Sequence, residues 1–101
     1  MPPSPPLELA YDHLSRLLLE GKSDPPTYCE VDGVSTVQLR FVRAPSLTGT
    51  LHVAFSDDRI KIWSEIQMES GVHPEVCQLT QDLIAAKMLL SRALHAVLRP
   101  L

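Results

Sequence analysis

Glycine is scarce in this sequence: there are four in 101 residues, at positions 21, 33, 49 and 71, each isolated from the next. Neither a G-x-G-x-x-G loop nor a Walker A run can be drawn from them, which excludes nucleotide binding by those phosphate-cradling routes. Aromatic residues number five, a poor supply for lining a ligand cleft. Cysteine occurs twice, as Cys29 and Cys77, without C-x-x-C spacing and too seldom for a disulfide framework. Two reduced, partly buried thiols are therefore expected. There is no G-x-S-x-G elbow, no HExxH pair, and no gathering of Asp, Glu and His at metal-ligand spacing.

Positive charge is also short. Nine Lys and Arg stand against twelve Asp and Glu, a net charge of −3, and the cations are scattered. A surface that neutralises phosphates needs a concentrated positive excess, so neither nucleic acid nor a membrane surface is an expected partner. Apolar runs are brief, as in Leu17-Leu18-Leu19, far from the roughly 20 residues that span a bilayer. Met1-Pro2-Pro3-Ser4-Pro5-Pro6 has neither the basic nor the apolar region of a secretory signal. The expectation is a cytoplasmic protein.

What is present is leucine, sixteen of them, within a 45% apolar and 21% charged composition close to that of ordinary globular domains. The organisation read from this is a Pro-rich tail at 1–6 and a single α+β domain over 7–101. From Leu7, the residues Leu7, Tyr11, Leu14 and Leu18 follow helical spacing, with Glu8, Asp12 and Arg16 opposite and Gly21 as a stop. After the breakers Asp24-Pro25-Pro26, Asp32-Gly33 separates two β-prone runs, the signature of a type I′ hairpin. A two-residue turn opposes Val31 to Val34 and Tyr28 to Val37, which places Tyr28, Val37, Leu39 and Phe41 on one core face. Strand two is expected over Val34 to Val42, then a loop over Ala44 to Gly49 and strand three over Thr50 to Ser56. Strand four follows over Arg59 to Gln67, so that Phe55 opposes Ile60, Val53 opposes Ile62, and His52 opposes Trp63 on the outer face.

A long helix is predicted from Pro74 to about Arg99, with Val76, Leu79, Leu83, Ala86, Leu90, Ala93, Leu94 and Val97 as its main stripe. A second group, Cys77, Ile84, Met88 and Leu98, widens the stripe. At ~1.5 Å per residue such a helix overhangs strands of six or seven residues, and its apolar surface exceeds what one sheet face needs. The fold class is α-β-β-β-β-α: an N-terminal helix, a four-stranded antiparallel meander, and a long C-terminal helix packed on one sheet face.

His73 and Cys77, four apart on a helix, offer two metal ligands, and Cys29, His52 or a symmetry mate would have to supply the rest. The plainer reading makes His73 a helix-start residue and Cys77 a small core hydrophobe, with no cofactor. Asp57-Asp58 beside Arg59 reads as a solvated turn, since a hairpin tip lacks the enclosure that perturbs pKa values. Trp63 is more informative. It sits on the outer face with His52 across the sheet and Lys61 and Glu65 along the strand, and Arg40 is placed to stack on it. Such a tryptophan is either an interface anchor or is covered by the segment 43–49 or the Pro-rich tail.

Three functions follow as expectations. The first is a non-enzymatic protein-interaction module, dimeric or part of a larger complex, working through Ile84, Met88 and Leu98 of the long helix and through Trp63, His52, Arg40 and Lys61 of the sheet. The second is a chaperone-like carrier of an extended client segment. The order of helix, meander and long helix, with small size and an acidic balance, is similar in layout to the dimeric chaperones of bacterial type III secretion effectors. Those generally have an additional helix and further strands, so no residue carries over. RWD-type interaction domains also share the helix and four-strand meander, but the Tyr-Pro signature expected of them is missing. The third is an enzyme or small-ligand binder with a pocket between sheet and helix and Tyr28, His13 or His95 at its mouth.

Overall fold

A computed structural model of the chain describes residues 5–17, 25–56, 59–69, 71 and 73–98. The order is α1 (Pro5–Arg16), β1 (Thr27–Val31), β2 (Val34–Ala44), β3 (Leu47–Ser56), β4 (Arg59–Met68) and α2 (Val76–Leu98). The strands form one antiparallel sheet in the order β1-β2-β3-β4, with α1 and α2 against it, so the chain is α+β.

Asp32 and Gly33 both take positive φ, 52° and 80°, as a type I′ turn demands. The turn fixes Val31 opposite Val34 and Tyr28 opposite Val37, and the second hairpin sets Phe55 opposite Ile60 and His52 opposite Trp63. The expected registers are thus the observed ones.

The strands are longer than expected. β2 continues to Ala44 through a register shift between Val42 and Ala44, Pro45-Ser46 makes the turn, and β3 begins at Leu47. The expected loop over 44–49 is therefore mostly strand. Proline favours the second position of a tight turn, and the irregularity at Arg43 lets the strand continue beyond the regular alternation. This removes the overhang. The 23 residues of α2 span ~34 Å, and the 10 residues of β3 or β4 span almost as much.

α1 begins at Pro5, so two residues assigned to the tail belong to the helix; proline's fixed φ suits the first turn. The proposed stop at Gly21 and the turn residues Asp57-Asp58 lie outside the described residues. α2 starts two residues later than predicted because Pro74 and Glu75 form a turn, in which the Glu75 N–H donates to His73 Nδ1 at 3.2 Å.

Both helices lie on the same sheet face. α1 rests on β2 and β3, α2 on β3 and β4, and the two touch each other. Between them Leu7, Ala10 and Leu14 meet Val37, Leu39, Phe41, Leu51 and Val53 from the sheet and Leu79, Leu83, Ala86, Leu90 and Leu94 from α2, all at 3% exposure or less. Gly49 faces Phe41 across the ladder, and a Cβ there would come within 2.8 Å of the Phe41 ring. Glycine at 49 thus makes room for the aromatic ring that fills that end of the core. Arg43 reaches α2, where its Nη2 donates to Asp82 Oδ2 at 2.9 Å; the Arg43 side chain is only 5% exposed.

Candidate functional site

Among the described residues, no helix lies on the outer face of the sheet. Its side chains are those that alternate away from the core: Cys29, Thr36, Gln38, Arg40, Thr50, His52, Ala54, Lys61, Trp63 and Glu65. Register puts Thr27, Gln38, His52 and Trp63 in one row across all four strands. The His52 ring lies against the Trp63 indole, with centroids 4.8 Å apart and planes 12° from parallel. Trp63 is partly exposed and His52 is nearly covered, at 7%. The tryptophan therefore roofs the histidine, and neither His52 ring nitrogen has a hydrogen-bond partner among the described residues. Glu65 Oε2 approaches His52 Nε2 to 3.7 Å, beyond hydrogen-bonding distance.

Lys61 Nζ sits 5.1 Å from the Trp63 ring centroid, in cation–π range. Arg40 does not stack there. It faces Thr50, which in turn faces Glu65, so Arg40 stands one row along and two strands away from Trp63, exposed. The cation on the same strand, two residues away and on the same face, holds the position instead. Nor does the segment 43–49 cover Trp63, since it forms the ends of β2 and β3 and their turn; residues 1–4 of the tail lie outside the described residues. Toward the hairpin ends the outer face dips into an open groove of about 820 Å³, lined by Val31, Val34, Ala54 and Trp63 and carrying the charges of Asp32, Arg59, Lys61 and Glu65.

The second candidate surface is on α2. Ile84 and Met88 are 48% and 54% exposed, as the excess apolar stripe implied, and Leu89, assigned to neither stripe, is 59% exposed. Leu98 lies in the helix, but its side chain is outside the described residues.

Other expectations need correction. Cys77 is exposed rather than part of the core, whereas Cys29 is half-buried as expected, its Sγ donating to Gln38 Oε1 at 3.6 Å. Burial pushes the Cys29 thiol above its ordinary pKa, which lowers its thiolate fraction and its reactivity. Tyr28 is on the inner face, yet 47% exposed, because β1 is an edge strand, and Tyr11 of α1 covers part of it. The two rings stack at 5.1 Å. Partial burial, then Glu8, Tyr11 and Asp12 nearby, raises the Tyr28 phenol above its ordinary value. His95 places Nδ1 2.7 Å from the Ser91 carbonyl oxygen, one helical turn back, and so serves its own helix. Among the described residues no three His, Cys, Asp or Glu are grouped to hold a metal, and no helix is long and apolar enough to cross a membrane.

Compared with known proteins, the chain matches no family model, no curated protein and no solved structure. Its own geometry has to carry the functional reading.

Proposed function

We propose that this chain is a non-enzymatic protein-interaction module, a small subunit or adaptor that works through α2 and through the sheet face that carries Trp63. The observation that supports this most is the pair Ile84 and Met88, one turn apart on α2 and 48% and 54% exposed. Large apolar side chains concentrated in this way favour a protein partner over bulk water. The partly exposed tryptophan of the outer face, flanked by His52, Lys61 and Glu65, has the composition of an interface anchor.

Replacing Ile84 and Met88 together by Asp tests the reading. The helix and the melting profile should survive, because neither residue belongs to the buried cluster. Partner binding, followed by light scattering or titration, should weaken at least ~30-fold, the scale of an interface anchor. Unchanged association of the doubly substituted chain would count against α2 as the docking surface. A second reading, a carrier of an extended client segment, draws support from the groove of about 820 Å³, whose apolar floor and mixed charges suit a peptide strand.

A further inference from the structure

We propose that the partner is a second copy of this chain, joined antiparallel along β4 so that Trp63 lies opposite the partner's Trp63 and the two sheets become one. The proposal rests on the interaction-module reading above and specifies its partner.

β4 is an edge strand of 10 residues, whereas the opposite edge, β1, has 5. A long edge presents a row of unpaired backbone groups, the template for strand addition. Which groups face outward follows from the hairpin. Ser56 and Arg59 flank its two-residue loop as a hydrogen-bonded pair, so alternate residues Ile60, Ile62, Ser64 and Ile66 aim their N–H and C=O away from β3. A copy laid antiparallel about Trp63 sets Ile62 against the partner's Ser64 and Ile60 against the partner's Ile66. Every one of these carries outward groups, so the two edges bond in phase.

The same register matches the side chains. Lys61 and Glu65 stand two residues either side of Trp63 on the outer face, so each Lys61 meets the partner's Glu65. Edge charges of a single sign repel a copy; these attract one. Neighbouring in-phase registers do less well. Centring on Ile62 shortens the overlap, and centring on Ser64 sets Trp63 against the partner's Glu65 and Lys61 against the partner's Gln67. With Trp63 at the centre, the row of Gln38, His52 and Trp63 continues through the partner's Trp63 and the partner's His52.

α2 fits the same axis. It lies against β3 and β4, with α1 on its β2 side, where Asp82 bonds Arg43. Ile84 follows Asp82 by two residues, about 200° around the helix, and Met88 by six, about 240°. Ile84 therefore lies on the flank away from α1, toward the β4 edge, where a copy joined through β4 brings its own α2, and Met88 lies between that flank and the side of the helix that faces away from the sheet.

Sedimentation and light scattering of Lys61→Glu, Glu65→Lys and the double exchange decide the matter. The parent chain should show about twice its 11.2 kDa mass, with a circular-dichroism exciton couplet that its single tryptophan can produce only between copies. Each single reversal sets like charges opposite at both symmetric pairs and should weaken the dimer at least ~10-fold at low salt, where exposed charges are little screened. The double exchange restores Glu against Lys and should recover both dimer and couplet. Both side chains are exposed, so folding, checked by the melting profile, should be unchanged. A monomer at every concentration overturns the proposal, even if a different protein binds through Ile84 and Met88, which would leave the interaction module standing. A dimer indifferent to the single reversals, or not rescued by the double exchange, overturns it as well.

Discussion

On the inner face of the sheet, Val37, Leu39, Phe41, Leu51 and Val53 are 0% to 2% exposed, and two helices lie on them; on the outer face, Thr36, Ala54 and His52 are 0%, 6% and 7% exposed with no helix among the described residues above. The first set is buried by a second layer of structure. The second is buried within its own layer, because small or flat side chains lie in the valley between longer ones. His52 lies under the Trp63 ring, Ala54 lies beside Lys61, and Thr36 turns its hydroxyl back to the Val34 carbonyl at 3.0 Å. Burial by a layer depends on apolar volume that can leave a cavity. Burial within a layer depends on surface side chains that remain free to meet a partner.

The most severe way to break the comparison is Leu83→Ala. Leu83 is 2% exposed in the cluster between the layers, so its truncation should cost ~2 to 5 kcal/mol by denaturant unfolding. Next is the pair that ties β2 to α2. The Arg43 side chain is deeply buried and Asp82 is 29% exposed, so Asp82→Asn should cost ~2 kcal/mol, less than a fully buried pair. The hydrogen bond from Arg43, then that from Gln78, holds the Asp82 carboxyl below the usual carboxylate range. A carboxylate whose folded pKa is depressed contributes stability that is complete above its unfolded pKa, near 4, and is lost as pH falls through the folded value. The gap between parent and Asp82→Asn should therefore be full at pH 7 and shrink steadily below pH ~4.

The smallest effect on folding is expected on the outer face. Trp63→Ala should cost ~1 kcal/mol or less of stability, since the ring is partly exposed and covers a single row, while binding falls by ~2 kcal/mol or more. A large loss of stability with binding unchanged would erase the distinction between the faces and make Trp63 a core residue.

Much of this was legible beforehand. Asp32-Gly33 fixes a turn type, the turn type fixes the register of β1 on β2, and strict alternation then decides which residues share a face; counting outward from an expected two-residue turn at Asp57-Asp58 opposes His52 to Trp63 in the same way. The buried stripe of α2 follows from helical period in the same way. The site was legible in part: Lys61 beside Trp63 is a same-strand relation, whereas placing Arg40 there required knowing the order of three strands and the exact row. Leu89 and the Arg43–Asp82 pair were not legible, because periodicity ranks the faces of an element but does not say which of its neighbours stops short.

The sequence by itself determined the elements, their antiparallel registers and the composition of each face, since these rest on local φ preferences and on periods of 2 and 3.6 residues. Tertiary structure decided that both helices share one face and that β4 is left as a long edge. It also decided that Cys77 and half of Tyr28 face water while His52 does not. Those outcomes depend on which surfaces compete for the same apolar neighbours across the whole fold, a long-range balance that no local pattern encodes.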